Sequence, residues 1–175
     1  MKRVVADPVK CLACRTCELA CALAHAGTMD LVEAIFGRSA KPRIYIESAH
    51  GLAVPLQCRH CEDAPCVRVC PSGALTRASE ASPVLVVHQK CIGCGFCVES
   101  CPFGVIRLAR SAEPGLSDGR TAVIKCDLCG ARLAEGLPPA CVASCPVGAL
   151  SFEEIDDNAK KARAWTAAQV AGRRF

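Results

Sequence analysis

Large aromatic side chains are scarce in this sequence. Its 175 residues include five Phe, one Tyr and one Trp, so the rings that usually fill a protein core are few. No uninterrupted apolar stretch approaches the roughly 18 residues that a membrane-spanning helix requires. These absences predict a chain without a transmembrane segment, whose interior is filled by something other than aromatic rings.

Several functional motifs are also missing. The sequence has no G-x-G-x-x-G dinucleotide motif and no G-x-x-x-x-G-K-[ST] phosphate loop, and it shows no activated nucleophile, so we expect no catalytic site of its own. Lys and Arg are scattered without a continuous stripe, and the formal net charge of +4 counts every thiol as neutral, so nucleic acid is not an expected partner. The start, "MKRVVADPVK", has neither an apolar signal core nor twin arginines, which predicts a cytoplasmic protein.

Cysteine, in contrast, is abundant. Sixteen of the 175 residues are cysteine, a density typical of a covalent or metal-bound scaffold. They fall into four groups of four, with none left over. The first and third groups have the spacing C-x2-C-x2-C-x3-C, the second has C-x2-C-x4-C-x3-C and the fourth C-x2-C-x11-C-x3-C.

The four groups have similar surroundings, which marks an internal repeat. Aliphatic runs precede them ("RVVA", "LAVPL", "VLVV" and "TAVI"), and three groups end in "CPSGAL", "CPFGVI" or "CPVGAL". Cys97 and Cys101 are four residues apart, so they fit the two ends of one helical turn, which the following proline stops. We expect Gly93 and Gly95 to let the backbone approach a bound group closely.

The run C-x2-C-x2-C-x3-C-P is typical of iron–sulfur proteins, in which the fourth cysteine ligates the other cluster of a two-cluster unit. Sixteen thiolates suffice for four [4Fe–4S] clusters. Zinc is the alternative metal, but zinc sites rarely use tight cysteine quartets with Cys-Pro endings. Disulfides are disfavoured in the cytoplasm.

The intervals between the groups indicate how they pair. Only twenty residues separate Cys70 from Cys91, enough for a strand, a turn and a strand, whereas the other intervals are longer. The second and third groups therefore form an inner pair, and the first and fourth an outer pair; sequential pairing is the alternative. The nested scheme gives set one as Cys11, Cys14, Cys17 and Cys145; set two as Cys58, Cys61, Cys66 and Cys101; set three as Cys91, Cys94, Cys97 and Cys70; and set four as Cys126, Cys129, Cys141 and Cys21.

The chain resembles the four-cluster, ferredoxin-type electron-transfer subunits of multi-subunit oxidoreductases, such as those of dimethyl sulfoxide reductase, formate dehydrogenase, carbon monoxide dehydrogenase, hydrogenlyases and tungsten aldehyde oxidoreductase. The matching segments are "KCLACRTCELAC", "QCRHCEDAPCVRVCPSGAL", "KCIGCGFCVESCPFGVI" and "KCDLCGARLAEGLPPACVASCPVGAL". One departure is that Cys21 is followed by Ala22 rather than by proline.

The resemblance implies an α+β fold of two bacterial dicluster-ferredoxin-like units (βαββαβ), one inserted in the other, and the same nested pairing. The outer unit is expected over 1–49 and 113–152, the inner unit over 50–112, and a helical tail over 153–175, with the helix between Asp156 and Ala171.

The expected function is to carry single electrons along four [4Fe–4S] clusters. The partners would be a catalytic metalloenzyme subunit (a tungsten or molybdenum enzyme, carbon monoxide dehydrogenase or a hydrogenase) and a second electron-transfer subunit or carrier, and self-association stays open. The alternatives are a free-standing soluble polyferredoxin and a zinc-held interaction module. For Lys90 and Lys125, which precede cysteines, the favoured interpretation is ordinary solvated lysines rather than residues that tune a potential or dock a partner. Surface or hydrogen-bonding roles are favoured for His25, His50, His60 and His88.

Overall fold

The computed structural model describes residues 1–28, 30–37, 41–110 and 121–172. Within these residues, strands and helices are both present, as in the α+β class. The strands are β1 (Lys2–Ala6), β2 (Ile44–Ala49), β3 (Leu52–Gln57), β4 (Leu75–Thr76), β5 (Leu85–Val86), β6 (Arg107–Arg110), β7 (Thr121–Ile124) and β8 (Leu150–Glu154). The α-helices are α1 (Thr16–Ala26), α2 (Pro65–Arg68), α3 (Phe96–Glu99), α4 (Gly130–Ala134), α5 (Ala140–Ala143) and α6 (Ile155–Gly172). A π-helical turn spans Glu33–Gly37 and a 3-10 turn His88–Lys90.

The strands pair in antiparallel couples that alternate with the cysteine groups. β2 pairs with β3, β4 with β5, and β6 with β7, so each couple joins the end of one group to the start of the next. β1 pairs with β8, with Val4 opposite Phe152, and this couple joins the region before the first group to the region after the fourth. The aliphatic runs beside the cysteine groups therefore become the strands that hold the groups in place.

Buried residues gather in two clusters. Core 1 contains Ala64, Cys66, Ala74, Leu75, Val84, Cys91, Cys97, Ile106, Ala122 and Val123. Core 2 contains Val4, Cys17, Cys21, Ile44, Ile46, Leu128, Cys141 and Leu150. Cysteines are part of both cores, and Phe152, which packs on the edge of core 2, is the aromatic residue they involve among the described residues. The interior is thus built from aliphatic side chains and sulfur.

The length of the helix in each cysteine group depends on the residue that follows the group's last cysteine. α2, α3 and α5 have four residues each, and each ends just before a Cys-Pro pair. α1 has eleven residues, because Cys21 is followed by Ala22, and it ends at Gly27 with φ of 68°. The proline therefore stops three of the cysteine helices, as expected, and its absence lets the fourth continue.

The terminal helix α6 covers the segment in which the sequence predicts a helix. Its acidic first turn contains Asp156 and Asp157, which the helix dipole favours at an N-terminus. It lies against β8 and β1, and Lys161 Nζ donates to Glu153 Oε2 at 2.6 Å. Among the described residues, no helix is both long and apolar enough to cross a bilayer.

Candidate iron–sulfur centre

Each cysteine loop contains a left-handed residue directly before its second cysteine. These residues are Ala13, His60, Gly93 and Leu128, with φ of 58°, 48°, 70° and 61°. A positive φ is uncommon for residues other than glycine and is strained. The same left-handed conformation occurs at the same position in four loops, and in three of them it is strained because the residue is not glycine. This recurrence indicates a shared function for the curl that it gives the loop. It turns the backbone around whatever the sulfurs hold.

At Gly93 the backbone closely approaches another segment of the chain. A Cβ at this position would lie 2.8 Å from the carbonyl oxygen of Thr121. Gly95, with φ of 83°, has more room, since a Cβ there would first meet the Leu108 side chain at 3.7 Å. Space therefore requires glycine at position 93, whereas at position 95 glycine only relieves the strain of a positive φ.

Backbone N–H groups are aimed at cysteine sulfurs. In two loops the left-handed residue itself donates, His60 N to Cys58 Sγ and Leu128 N to Cys126 Sγ, both at 3.4 Å. Such N–H···S contacts stabilise a thiolate and, in iron–sulfur proteins, help to set the reduction potential. The curl of the loop thus has a direct chemical consequence.

One apolar cavity brings two distant cysteine groups together. It is lined by Cys11, Cys14 and Cys17 from the first group and by Cys145 from the fourth. Leu150 lines the same cavity, and Ala149 N donates to Cys145 Sγ at 3.2 Å. These four cysteines are the ones that the nested scheme assigns to set one.

A second apolar cavity does the same for the inner groups. Cys91, Cys94 and Cys97 line it together with Cys70, which belongs to the preceding group. Burial raises the pKa of Cys97 to about 11, and the charges of Cys91 and Cys70 act in the same direction. Four sulfurs therefore face one space here too, in the combination of set three.

For the remaining two sets, the cysteines whose charges act on one buried thiol show which residues lie near it. Burial raises the pKa of the Cys66 thiol, and the charges of Cys58, Cys101 and Cys61 raise it further. Burial likewise raises the pKa of Cys141, and the strongest charges acting on it are those of Cys21, Cys126 and Cys129. Each of the two thiols lies beside the other three members of its predicted set.

A polar network holds Cys21 next to the fourth group. His25 Nδ1 donates to the Cys21 carbonyl oxygen at 2.7 Å, and His25 Nε2 lies 3.1 Å from Asp127 Oδ1. Arg43 binds the other Asp127 oxygen at 2.8 Å, while its backbone N–H donates to Cys21 Sγ at 3.2 Å. Burial lowers the pKa of His25, but the hydrogen bonds to Asp127 and Cys21 and the charge of Asp127 together outweigh burial and raise the pKa to about 10. The network therefore carries charge that fixes α1 against the loop of Cys126 and Cys129.

Two residues that immediately precede cysteine groups are buried between the cores. Lys125 is 2 % exposed, and its Nζ donates to Val84 O at 2.5 Å and to Cys126 O at 2.7 Å. Gln57 is also 2 % exposed and donates through Nε2 to Val4 O at 2.8 Å. The interpretation of Lys125 as a solvated lysine is therefore wrong, because the packing of β5 against the start of the fourth group removes it from water. Lys90 is exposed, as expected.

His60 is enclosed at the same junction. It is fully buried, and its Nδ1 accepts the Val84 N–H at 3.1 Å. Burial and, next in size, the charge of Lys125 lower the pKa of His60 to about 3, so the ring is neutral. Arg77 fixes the loop from outside by donating to the carbonyl oxygens of His60, Cys61 and Glu62. The hydrogen-bonding role favoured for His60 is confirmed.

The arrangement fits iron–sulfur chemistry. Buried thiols resist ionisation, as the raised pKa values of Cys17 (about 11) and Cys126 (about 12) illustrate, unless a cationic group binds them. Iron supplies that charge, and curled loops with N–H groups aimed at sulfur are suited to a compact cluster. Four cysteines line each of the two cavities, which matches the four thiolates that one [4Fe–4S] cluster binds.

Comparison with known proteins identifies the family. The 4Fe-4S dicluster domain family matches residues 49–155, which is more than half of the chain. This protein belongs to that family and is a ferredoxin-type iron–sulfur protein, so the resemblance in the sequence is confirmed.

Relatives of similar size support the same class. An "iron-sulfur protein" of Rhodospirillum rubrum is 44% identical over 158 residues, covering 87% of this chain and 82% of its own. The electron transport protein HydN of Escherichia coli (strain K12) is 38% identical over 154 residues, covering 84% and 85%. The thiosulfate reductase electron transfer subunit PhsB of Salmonella typhi is 37% identical over 157 residues, covering 87% and 75%.

Some residues of the centre carried little signal in the sequence. The local sequence does not distinguish Lys125 from Lys90, because both directly precede a Cys-x2-Cys pair. Arg43 and Asp127 lie far apart in the chain and meet only through folding. The positive φ of Ala13 and Leu128 could be found only by aligning their loops with the glycine-containing third loop.

Proposed function

We propose that this chain is the electron-transfer subunit of an oxidoreductase and that its four nested cysteine sets hold four [4Fe–4S] clusters. Such clusters, when bound, accept and release single electrons at potentials that the protein tunes. The chain supplies sixteen thiolates, the N–H groups aimed at them and apolar walls that limit water access. It has no catalytic site of its own in this proposal.

One observation carries the proposal. The last cysteine of a group lies with the first three cysteines of a different group, as Cys145 does with Cys11, Cys14 and Cys17. Cys70 lies in the same way with the third group. Exchange of the fourth ligand is the signature of paired clusters in ferredoxins, and neither zinc knuckles nor disulfides account for it.

The two cores correspond to an inner and an outer dicluster unit. Core 1 takes its residues from the second and third groups and their strands, and core 2 from the first and fourth. A boundary between residues 49 and 50 would cut the β2–β3 hairpin at its turn, although both of its strands lie with core 2. We therefore place the first boundary at Cys58, after the end of β3. The other boundary, between 112 and 113, lies outside the described residues.

Charge interactions between cysteines of different sets suggest an order for the four sets. Charge interactions link Cys97 to Cys66 and therefore set three to set two. They link Cys126 to Cys58, and so set four to set two. Cys141 is linked to Cys17, and so set four to set one. The order that we propose for electron movement is therefore three, two, four, one.

The partners in this proposal are a catalytic metalloenzyme subunit at one end of the line and a second electron carrier at the other. Two relatives support such a role, one being an electron transport protein and the other the electron transfer subunit of a thiosulfate reductase. A reducing compartment, the cytoplasm, suits thiols that must stay free to bind iron. A free-standing polyferredoxin is the second candidate, and a stable partner that co-purifies with the chain would decide against it.

Metal analysis is the first test. Anaerobically purified protein should contain about sixteen irons and sixteen acid-labile sulfides per chain, and the dithionite-reduced protein should show spin-coupled EPR signals. Zinc with little iron would contradict the proposal and would leave a zinc-held interaction module.

Serine variants test the exchanged ligands. Cys101→Ser should remove or alter the same EPR signal as Cys66→Ser, because both belong to set two. Cys70→Ser should instead match Cys97→Ser, a variant of set three. If Cys101→Ser matched Cys97→Ser, the crossed assignment would be wrong, although the iron content would still support an iron–sulfur protein.

A further inference from the structure

The four residues that directly precede the cysteine groups differ in burial. Lys10 and Lys90, before the first and third groups, are exposed. Gln57 and Lys125, before the second and fourth groups, are each 2 % exposed. The two buried positions directly precede the first cysteines of sets two and four, Cys58 and Cys126, whose charges interact.

The two buried side chains bond to different parts of the fold. Gln57, at the end of β3, donates to the carbonyl oxygen of Val4 in β1, and this bond stays within core 2. Lys125 directly follows β7 and donates to the carbonyl oxygens of Val84, a member of core 1, and of Cys126, which packs against core 2. Lys125 therefore joins the two cores at their junction, and of the two side chains it is the charged one.

The Lys125 tie leads to the loop of set two. Val84 offers its carbonyl oxygen to Lys125 and donates its own N–H to His60 Nδ1. His60 in turn donates its backbone N–H to Cys58 Sγ. A short path of hydrogen bonds thus connects the ammonium group to the first cysteine of the second group. The same ammonium acts on Cys66, where its charge favours the thiolate against the effects of burial and of Cys58.

We propose that Lys125 is a built-in positive charge at the junction, which raises the reduction potential of the cluster held by Cys58, Cys61, Cys66 and Cys101. This inference rests on the proposed function. Reduction adds a negative charge to a cluster, so a cation held nearby stabilises the reduced form, and it does so more strongly where water is excluded. Lys125 is therefore a tuning residue for electron passage between the two cores.

The experiment is an EPR-monitored redox titration of the anaerobically purified full chain. The signal that Cys66→Ser removes identifies the set-two cluster. In Lys125→Gln, the ratio of reduced to oxidised cluster at the wild-type midpoint should fall about tenfold, which is a shift of 59 mV to more negative potential for one electron. The set-one and set-three signals should keep their midpoints.

Three variants serve as controls. Lys90→Gln removes an exposed lysine from the same position before another group and should shift no midpoint. Gln57→Leu breaks the neutral tie and should leave the set-two midpoint in place. Lys125→Arg keeps the charge and should retain a midpoint close to that of the wild type.

Each outcome has a distinct meaning. An unchanged set-two midpoint in Lys125→Gln would overturn the inference, and so would an equal shift in Gln57→Leu, since loosening of the junction would then be the cause. If Lys125→Gln failed to assemble clusters, the Arg variant would decide: clusters with the wild-type midpoint support the role of charge, and cluster loss in that variant refutes it. Wild-type protein without iron would instead refute the proposed function itself.

Discussion

Core 1 and core 2 hold their cysteines by different means. Core 1 draws on one continuous part of the sequence, and Cys70 and Cys101 lie two residues beyond the four-residue helices α2 and α3. Core 2 combines residues from both ends of the described chain and holds Cys21 on the eleven-residue helix α1. It relies on the β1–β8 couple and on the charged network around Asp127.

The difference shows how the same cluster-binding repeat adapts to its place in the chain. Joining segments far apart in sequence costs more loop-closure entropy than joining neighbouring ones. Core 2 offsets this cost with long-range polar contacts, whereas core 1 uses short turns and apolar packing. Core 2 should therefore be the more sensitive of the two to loss of a single polar side chain.

The largest effect is expected for Asp127→Ala. The change leaves the guanidinium of Arg43, which is almost fully buried, without its 2.8 Å carboxylate partner. Breaking a buried pair by removing one member costs roughly 3–5 kcal/mol, and because the Asp127 side chain is 34 % exposed, the lower end, about 3 kcal/mol, applies. Denaturant unfolding of the anaerobic protein measures it, and the set-four EPR signal should weaken first.

Asp63→Ala is the matched control in the inner unit. Its partner Arg68 and Asp63 itself are both exposed, at 3.2 Å from each other. Exposed pairs of this kind often contribute nothing measurable. Equal destabilisation by the two variants would contradict the contrast between the cores.

Gly93→Ala tests the tight backbone packing beside core 1. The corresponding residue of the first group is Ala13, which already has a positive φ. A Cβ at Gly93 must in addition displace the Thr121 carbonyl, so we expect a cost of about 2 kcal/mol, from strain and overpacking together. Thermal or denaturant unfolding would measure it.

Gly104→Ala separates these two causes. Gly104 has φ of 61°, and a Cβ there would meet nothing within 4 Å, so only the conformational cost of about 1 kcal/mol should remain. If both alanine variants lost the same stability, close approach to Thr121 would not be the reason for a glycine at position 93.

The smallest effect is expected where α6 meets the β1–β8 couple. Glu153→Gln removes the charge partner of Lys161, which lies 2.6 Å away at the surface. An exposed pair contributes a few tenths of a kcal/mol, and this contribution should disappear at about 1 M salt, where charges are screened within roughly 3 Å. Fluorescence of Trp165, the single tryptophan and part of α6, can follow the helix in low and high salt. An effect that salt does not change would point to packing rather than charge.

Much of the local structure follows from the sequence by itself. The spacing of the sixteen cysteines indicated the family, which comparison with known proteins confirmed. Proline after the last cysteine predicted where the short helix of the third group ends, because proline restricts the backbone of neighbouring residues. The aliphatic runs, which marked the repeat, form strands, as β-branched residues favour. The need for glycine at position 93 was also foreseen, although its cause, the Thr121 carbonyl, was not.

Only the tertiary structure decided which side chains leave the solvent. Lys90 and Lys125 have the same local setting, yet Lys90 is exposed and Lys125 is buried against Val84. Burial depends on which distant segment packs over a residue, and a local pattern contains no information on that. The same reason explains why His25, Arg43 and Asp127 form one network although more than 80 residues separate Arg43 from Asp127. The sequence determined the loops that can bind clusters, and the packing of the two cores determined the charges around them.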